Sequence, residues 1–188
     1  MNRIFEAALD IQGACTSRGW KFCVIGGVAV QRWGEPRFTR DVDVTVLSGF
    51  GHEVEYVDAL LAAYEPRIDD AREFALRNRV LLIRSAAGVP IDVSLGAMPF
   101  EERAVARGSP FVVGEGRSIL TCSAEDLIVL KAFAGRDQDW LDIEGVITRR
   151  DPALDSALIL RELEPLLELK EDMRALGRLQ GLLKRLGR

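Results

Sequence analysis

Hydrophobic and polar positions follow two different periods along the chain. Short apolar runs without polar breaks, typical of buried strands, lie at 22–25 and in the β-branched stretch 41–47. Two further pairs of apolar runs, 79–85 with 89–95 and 110–113 with 117–121, are each separated by a turn rich in small residues. This arrangement predicts two β-hairpins.

Helical spacing predicts the remaining elements. Residues at intervals of three and four are apolar in the first part of the chain at 4–18, 53–64, 70–77 and 99–107, and in the last part at 125–134, after Gly135, 153–168 and 171–186. Val54 and Phe133 are among the positions predicted to face inward. Ser123 followed by two acidic residues is a helix-capping sequence.

The change of period near Cys122 predicts two domains. Residues 1–121 are expected to form an α/β (α+β) domain with a small mixed sheet flanked by helices, and residues 122–188 a C-terminal helical bundle packed on it.

Composition excludes several classes of protein. The chain of 188 residues has a net charge of −4, so it offers no overall attraction for nucleic acid. A single histidine excludes zinc sites and catalytic triads, and the three cysteines are expected to be reduced core residues. Neither a signal peptide nor a long apolar run is present, which favours a cytoplasmic location.

Two aspartates define the first candidate site. Asp41 and Asp43 lie two apart in a strand pattern, so their carboxylates share one face, roughly 6.6 Å apart along the strand. Like charges this close require compensation, and Mg²⁺ or Mn²⁺ prefers such oxygen ligands. The alternative is that Arg37 or Arg40 pairs with these aspartates.

Two adjacent glycines define the second candidate site. Gly26 and Gly27 follow a predicted strand and precede a predicted helix, 28–33. Missing side chains and free N–H groups at a helix N-terminus favour phosphate, although many tight turns also use two glycines. Metal carboxylates and a phosphate cradle together indicate a nucleoside triphosphate with Mg²⁺.

The third candidate is Asp92, a lone charge between Ile91 and Val93 in an apolar strand. Burying it unpaired would cost several kcal/mol, so it needs a partner. The ordinary partner for an aspartate at a strand end is an arginine.

The spacing Gly26-Gly27, Arg37-x-Thr39-x-Asp41-x-Asp43 resembles the signature of the DNA polymerase β-like nucleotidyltransferase superfamily. Within it, the chain most resembles the AbiEii-type bacterial nucleotidyltransferases, several of which are toxins of toxin–antitoxin pairs. The later segment from Ser123 through Lys131 to Asp142 is similar to a second conserved block of these proteins.

The resemblance implies a nucleotidyltransferase fold and a two-metal transfer of a nucleoside monophosphate from an NTP to an acceptor hydroxyl. Asp92, on a strand expected to lie beside that of Asp41 and Asp43, becomes the third metal ligand and the candidate proton acceptor. Gly26, Gly27, Arg37, Thr39 and Lys131 become nucleotide-binding residues, with Asp139 or Asp142 supporting Lys131 or Arg136. Without the resemblance, Lys131 would form an ordinary helix salt bridge with Asp126 nearby.

The acceptor stays open at this point: a tRNA end, a protein hydroxyl and a small molecule are all used in the superfamily. An antitoxin is a candidate protein partner. Two alternatives to catalysis are a relative with the same fold that acts by binding nucleotide or protein, and an α/β protein whose aspartates are salt-bridged.

Overall fold

The computed structural model of the chain describes residues 2–114, 116–150 and 152–186. These residues form two compact units. The first consists of the described parts of Met1–Val28 and Phe38–Cys122, and the second of Ala29–Arg37 with the described parts of Ser123–Arg188. The division at residue 121 stays a prediction.

Helices and strands are interspersed up to Thr121, and only helices follow in the described residues. The helices are α1 (Arg3–Ser17), α2 (Gly26–Trp33), α3 (Glu53–Leu61), α4 (Ala71–Asn78), α5 (Pro99–Ala106), α6 (Ala124–Ala134), α7 (Asp137–Arg150), α8 (Ser156–Leu169) and α9 (Arg174–Leu186). The strands are β1 (Phe22–Ile25), β2 (Val42–Leu47), β3 (Glu65–Pro66), β4 (Val80–Arg84), β5 (Pro90–Gly96), β6 (Ser109–Gly114) and β7 (Arg117–Thr121).

The described strands form one mixed sheet in the first unit, with the order β3-β4-β5-β2-β1-β7-β6. The central pair β2·β5 and the pair β1·β7 are parallel, and the other neighbours are antiparallel. The predicted hairpins β4–β5 and β6–β7 are confirmed, although Glu115 in the second turn lies outside the described residues. The predicted α/β class, with a mixed sheet flanked by helices, is confirmed.

Side-chain alternation on β2 and β5 separates a core face from a polar face. Val42, Val44 and Val46, with Ile91 and Val93, join the buried cluster that includes residues of α1, α3 and α4. Because neighbouring residues on a strand point to opposite sides, Asp43 and Asp92 belong to the other face of the sheet. The core thus positions the candidate site.

Helices α6 to α9 make up most of the second unit and pack on one another. The hydroxyl of Ser123 accepts a hydrogen bond from the Asp126 backbone N–H at 3.1 Å, and Gly135 ends α6 in the left-handed conformation. The predicted cap is therefore confirmed. The buried apolar residues of the second unit include Leu127, Ile128, Ile143, Ile147, Ile159, Leu163 and Leu179.

Four details differ from the predictions. Val54 is exposed, because α3 buries Val57 and Leu60 instead. Phe133 is also exposed, and the Lys170 ammonium group lies 4.9 Å from its ring centroid. The helix predicted to start at residue 28 begins at Gly26. The edge strand β3 was not predicted, because a strand of two residues is too short to show a hydrophobic period.

None of the helices in the described parts of the chain combines the length and apolarity needed to cross a bilayer.

Candidate nucleotidyl-transfer site

Two of the three predicted carboxylates lie side by side. Asp43 on β2 and Asp92 on β5 occupy paired positions of neighbouring parallel strands, which lie about 4.8 Å apart. Asp41 immediately precedes β2, two residues before Asp43, and all three residues are partly buried. The strand register therefore places Asp92 beside the Asp-x-Asp strand, as the resemblance implies.

Gly26 makes room for Asp43. A Cβ atom on Gly26 would lie 1.9 Å from Oδ2 of Asp43, a distance that no real atom pair of this kind tolerates. The φ of Gly26 is +59°, a conformation that other residues rarely adopt. Only glycine at position 26 allows the Asp43 carboxylate to lie against the first turn of α2.

Gly27 makes room for Thr39, which in turn contacts Asp41. A Cβ atom on Gly27 would lie 2.2 Å from Oγ1 of Thr39. The Thr39 hydroxyl in turn donates to Oδ1 of Asp41 at 3.2 Å. The glycine pair and the Thr-x-Asp-x-Asp segment are thus one packed unit, in which the space left by each missing side chain is filled by the motif.

Asp92 has an arginine partner that the sequence did not identify. Nη1 of Arg67, in the segment after β3, donates to Oδ1 of Asp92, and both side chains are about one quarter to one third exposed. The expectation that a lone strand aspartate needs a partner is therefore confirmed. Nothing in the local sequence pattern could have identified Arg67, which lies 25 positions away.

The three aspartates meet part of what a magnesium site requires. Their oxygen donors suit Mg²⁺ or Mn²⁺, and the register of Asp43 and Asp92 suits a shared ion. Within the described residues, however, no three His, Cys, Asp or Glu side chains are gathered closely enough to enclose a metal. The donor type and the backbone positions therefore suit Mg²⁺, whereas the Asp92 side chain is turned toward Arg67, to which it is hydrogen-bonded.

Lys131 and Arg37 belong to the second unit and share a buried ion network there. The Lys131 ammonium lies 3.0 Å from Oδ1 of Asp139 and 2.7 Å from Oδ2 of Asp142, and only 6% of the residue is exposed. Arg37 donates to both oxygens of Asp142, at 2.7 and 2.9 Å. The alternative partner for Lys131, Asp126, is not one of these ion-pair contacts.

The network holds its two aspartates in the charged form. Burial raises the pKa of Asp142, but hydrogen bonds from Arg37 and Lys131 outweigh burial and leave the pKa below its ordinary value. Burial likewise raises the pKa of Asp139, and hydrogen bonds from Arg136 and Lys131 lower it overall. Asp142 positions Arg37, whose side chain is one third exposed.

The structure therefore brings most of the predicted residues together in one unit. Gly26, Gly27, Thr39, Asp41, Asp43 and Asp92 belong to the first unit, and Arg37 and Lys131 belong to the second. Their roles in binding metal or nucleotide stay predictions. The glycines carry a packing role that the sequence did not suggest.

Comparison with known proteins supports this assignment of the fold. An antigenic nucleotidyltransferase-like protein from Paracoccidioides brasiliensis has a TM-score of 0.54 at 16% identity, over 96% of this chain and 91% of that chain. The lincosamide antibiotic adenylyltransferase LnuA, with lincomycin bound, has a TM-score of 0.50 at 13% identity, over 73% of this chain and 92% of that chain. At these identities the likeness concerns the fold alone.

No curated protein matches the chain. Residues 18–168 match the family described as nucleotidyl transferase AbiEii toxin, type IV toxin–antitoxin system. That match covers most of the chain and includes both glycines, the Asp-x-Asp segment, Asp92 and the Lys131 block. The chain belongs to the AbiEii nucleotidyltransferase family.

Proposed function

We propose that this nucleotidyltransferase is a magnesium-dependent enzyme that transfers a nucleoside monophosphate from an NTP to an acceptor hydroxyl and releases pyrophosphate. The observation that carries the proposal is the pairing of Asp43 with Asp92 on the polar face of the sheet. Two carboxylates at neighbouring positions, with Asp41 two residues away, repel one another, and a divalent cation bound between them would offset that repulsion.

The roles follow from the chemistry of each side chain. Asp41, Asp43 and Asp92 would hold Mg²⁺ or Mn²⁺ in a two-metal mechanism. The cations would neutralise triphosphate charge and lower the pKa of the acceptor hydroxyl. Asp92 would accept the proton of that hydroxyl. We assign this chemistry to the predicted catalytic domain, residues 1–121.

Nucleotide binding is proposed for five residues. Gly26 and Gly27 open α2, where backbone N–H groups and the helix dipole favour phosphate. Thr39 would orient Asp41 and donate to the nucleotide. Arg37 and Lys131 would supply positive charge, Arg37 through its partly exposed guanidinium and Lys131 mainly through the network that holds Arg37.

The acceptor and the biological role are proposed from the family and its fold. The family description names toxins, so we propose that the protein is the toxin of a toxin–antitoxin pair with an antitoxin as partner, acting in the cytoplasm. A tRNA end and a protein hydroxyl are candidate acceptors. A small molecule is the third candidate acceptor, and LnuA, which has a similar fold, binds one, lincomycin.

A non-catalytic role is the competing proposal, and a specific observation favours it. Asp92 already pairs with Arg67, and Lys131 already pairs with two aspartates, so charges required for catalysis are satisfied within the protein. A protein of this kind would act by binding nucleotide or another protein through the same fold.

Thermal unfolding with each NTP, with and without Mg²⁺, separates the two proposals. A ligand at about 100 times its Kd adds ~2.7 kcal/mol to the free energy of unfolding. The enzyme proposal expects a Mg²⁺-dependent rise in Tm for wild type that is lost in Asp41→Asn/Asp43→Asn. Incorporation of labelled nucleotide into cell extract, lost in the same variant, would then identify the acceptor.

The matched control is Glu55→Gln/Glu73→Gln, which removes two exposed carboxylates from the first turns of α3 and α4. Its Mg²⁺-dependent shift should equal that of wild type. A shift that needs no Mg²⁺ and persists in the aspartate variant would support the binding role instead. Growth arrest on expression that depends on Asp41 and Asp43 would support the toxin role.

A further inference from the structure

We propose that Arg67 is a positioning residue that competes with the divalent cation for Asp92 and thereby sets the metal concentration at which the site is loaded. The inference rests on the proposed function, because it takes Asp92 as a metal ligand. It concerns a residue outside the glycine and aspartate motifs.

Arg67 is placed by the sheet itself. Its backbone N–H donates to the carbonyl oxygen of Leu82 at 3.0 Å, directly after β3, which extends the β3·β4 pairing by one residue. Leu82 lies opposite Asp92. Arg67, Leu82, Asp92 and Asp43 therefore form one row across the sheet, and the Arg67 side chain needs only to pass Leu82 to reach Asp92.

The charges along this row explain why an arginine belongs there. Asp43 and Asp92 are on the same face of adjacent strands, so their carboxylates repel each other. The Arg67 guanidinium neutralises Asp92 and holds its Oδ1 on the side facing Arg67. In this position Asp92 has a positively charged partner and is partly buried without a metal.

The same contact opposes metal binding. A divalent cation shared by Asp43 and Asp92 would need the carboxylate that Arg67 occupies, and it would lie close to a guanidinium of the same sign. Loading of the site therefore requires Asp92 to exchange Arg67 for the cation. Arg67 keeps the third ligand in place and raises the metal concentration needed to engage it.

Direct binding of Mn²⁺, measured by electron paramagnetic resonance of free ion at pH 7.5, tests this exchange without relying on activity. Arg67→Gln removes the competing charge and should lower the Mn²⁺ Kd about tenfold, equivalent to about 1.4 kcal/mol. Arg67→Lys keeps the charge and should stay near wild type. Arg67→Gln/Asp92→Asn should bind like Asp92→Asn alone.

Arg72→Gln is the matched control. It removes an arginine that pairs with Asp58, an exposed carboxylate of α3, and changes the net charge of the protein by the same amount. Its Mn²⁺ affinity should equal that of wild type. A tenfold gain in this variant as well would assign the effect to overall charge and overturn the proposal.

The outcomes distinguish failure of this inference from failure of the proposed function. If wild type binds Mn²⁺ and Arg67→Gln binds it with the same Kd, the competition is overturned and the metal site stands. If neither protein binds Mn²⁺, both the metal site and the competition are overturned. A Kd that rises in Arg67→Gln would also overturn the competition, since it would make Arg67 a support for the loaded site.

Discussion

Oδ2 of Asp43 lies where a side chain at position 26 would begin: a Cβ atom on Gly26 would be 1.9 Å from it. The glycine pair therefore serves the aspartates as well as any phosphate. Gly26 contacts Asp43 directly, and Gly27 reaches Asp41 through the Thr39 hydroxyl. Substitutions at these glycines should act on the carboxylates first.

Gly26→Ala should displace Asp43 and abolish Mg²⁺-dependent nucleotide binding. The φ of +59° alone costs a non-glycine residue about 1–2 kcal/mol, and the clash with Asp43 adds to that cost. Nucleotide titration and urea unfolding measure the two effects. Gly19→Ala is the control, because Gly19 has φ +67° but open space around its Cβ position. Equal losses in the two variants would contradict the contact with Asp43.

Asp41→Asn should lower nucleotidyl transfer by about a hundredfold or more, the scale seen when a group that stabilises developing charge is removed. The amide oxygen can still accept the Thr39 hydrogen bond, so stability should stay within about 0.5 kcal/mol or rise slightly as repulsion by Asp43 is relieved. Transfer assays and thermal unfolding measure both effects. Full activity in Asp41→Asn would contradict the metal assignment.

Sequence periodicity predicted the helices and strands whose buried residues recur at a regular spacing. The hairpin of β4 and β5 and the capped helix α6 follow from alternation, turn residues and a serine cap, all of which are local. Phe133 shows the limit of such patterns. It has the spacing of a buried residue, yet its ring is exposed beside Lys170, which follows α8, and periodicity cannot predict such a neighbour.

The candidate site was predictable where the chemistry of the residues and the resemblance to the family indicated the same positions. Asp43 and Asp92 are adjacent as expected, because β2 and β5 pair in parallel with these two residues in register. The partner of Asp92 was not predictable, since it is set by a contact between separate elements. Asp139 and Asp142 were implied as supports of Lys131 by the resemblance alone, and both pair with it. Helical spacing offers Lys131 only local partners, whereas Asp139 and Asp142 lie on the following helix.

Lys131→Ala should destabilise the protein by about 3–5 kcal/mol, because it leaves Asp139 and Asp142 buried with one counter-ion fewer. Urea unfolding measures this loss. Lys184→Ala, which removes an exposed lysine of the same unit, should cost no more than about 0.5 kcal/mol. If Lys131→Ala instead keeps wild-type stability and loses NTP affinity, the lysine serves the nucleotide and the network is dispensable.

The lowered pKa values of Asp139 and Asp142 predict how stability depends on pH. An aspartate whose pKa is lower in the folded protein than in the unfolded chain, about 3.9, binds fewer protons when folded. Its contribution is complete above that value and is lost as the pH falls through the folded pKa.

The free energy of unfolding of wild type should therefore drop below about pH 4. In Asp142→Asn the stability at pH 7 should be lower but the further loss in acid smaller, since one of the two titrating groups is gone. Urea unfolding between pH 7 and pH 3 measures both effects. Glu144→Gln, which removes an exposed ion pair with Arg185, should retain the wild-type acid profile. An unchanged acid loss in Asp142→Asn would mean that the buried network does not control this transition.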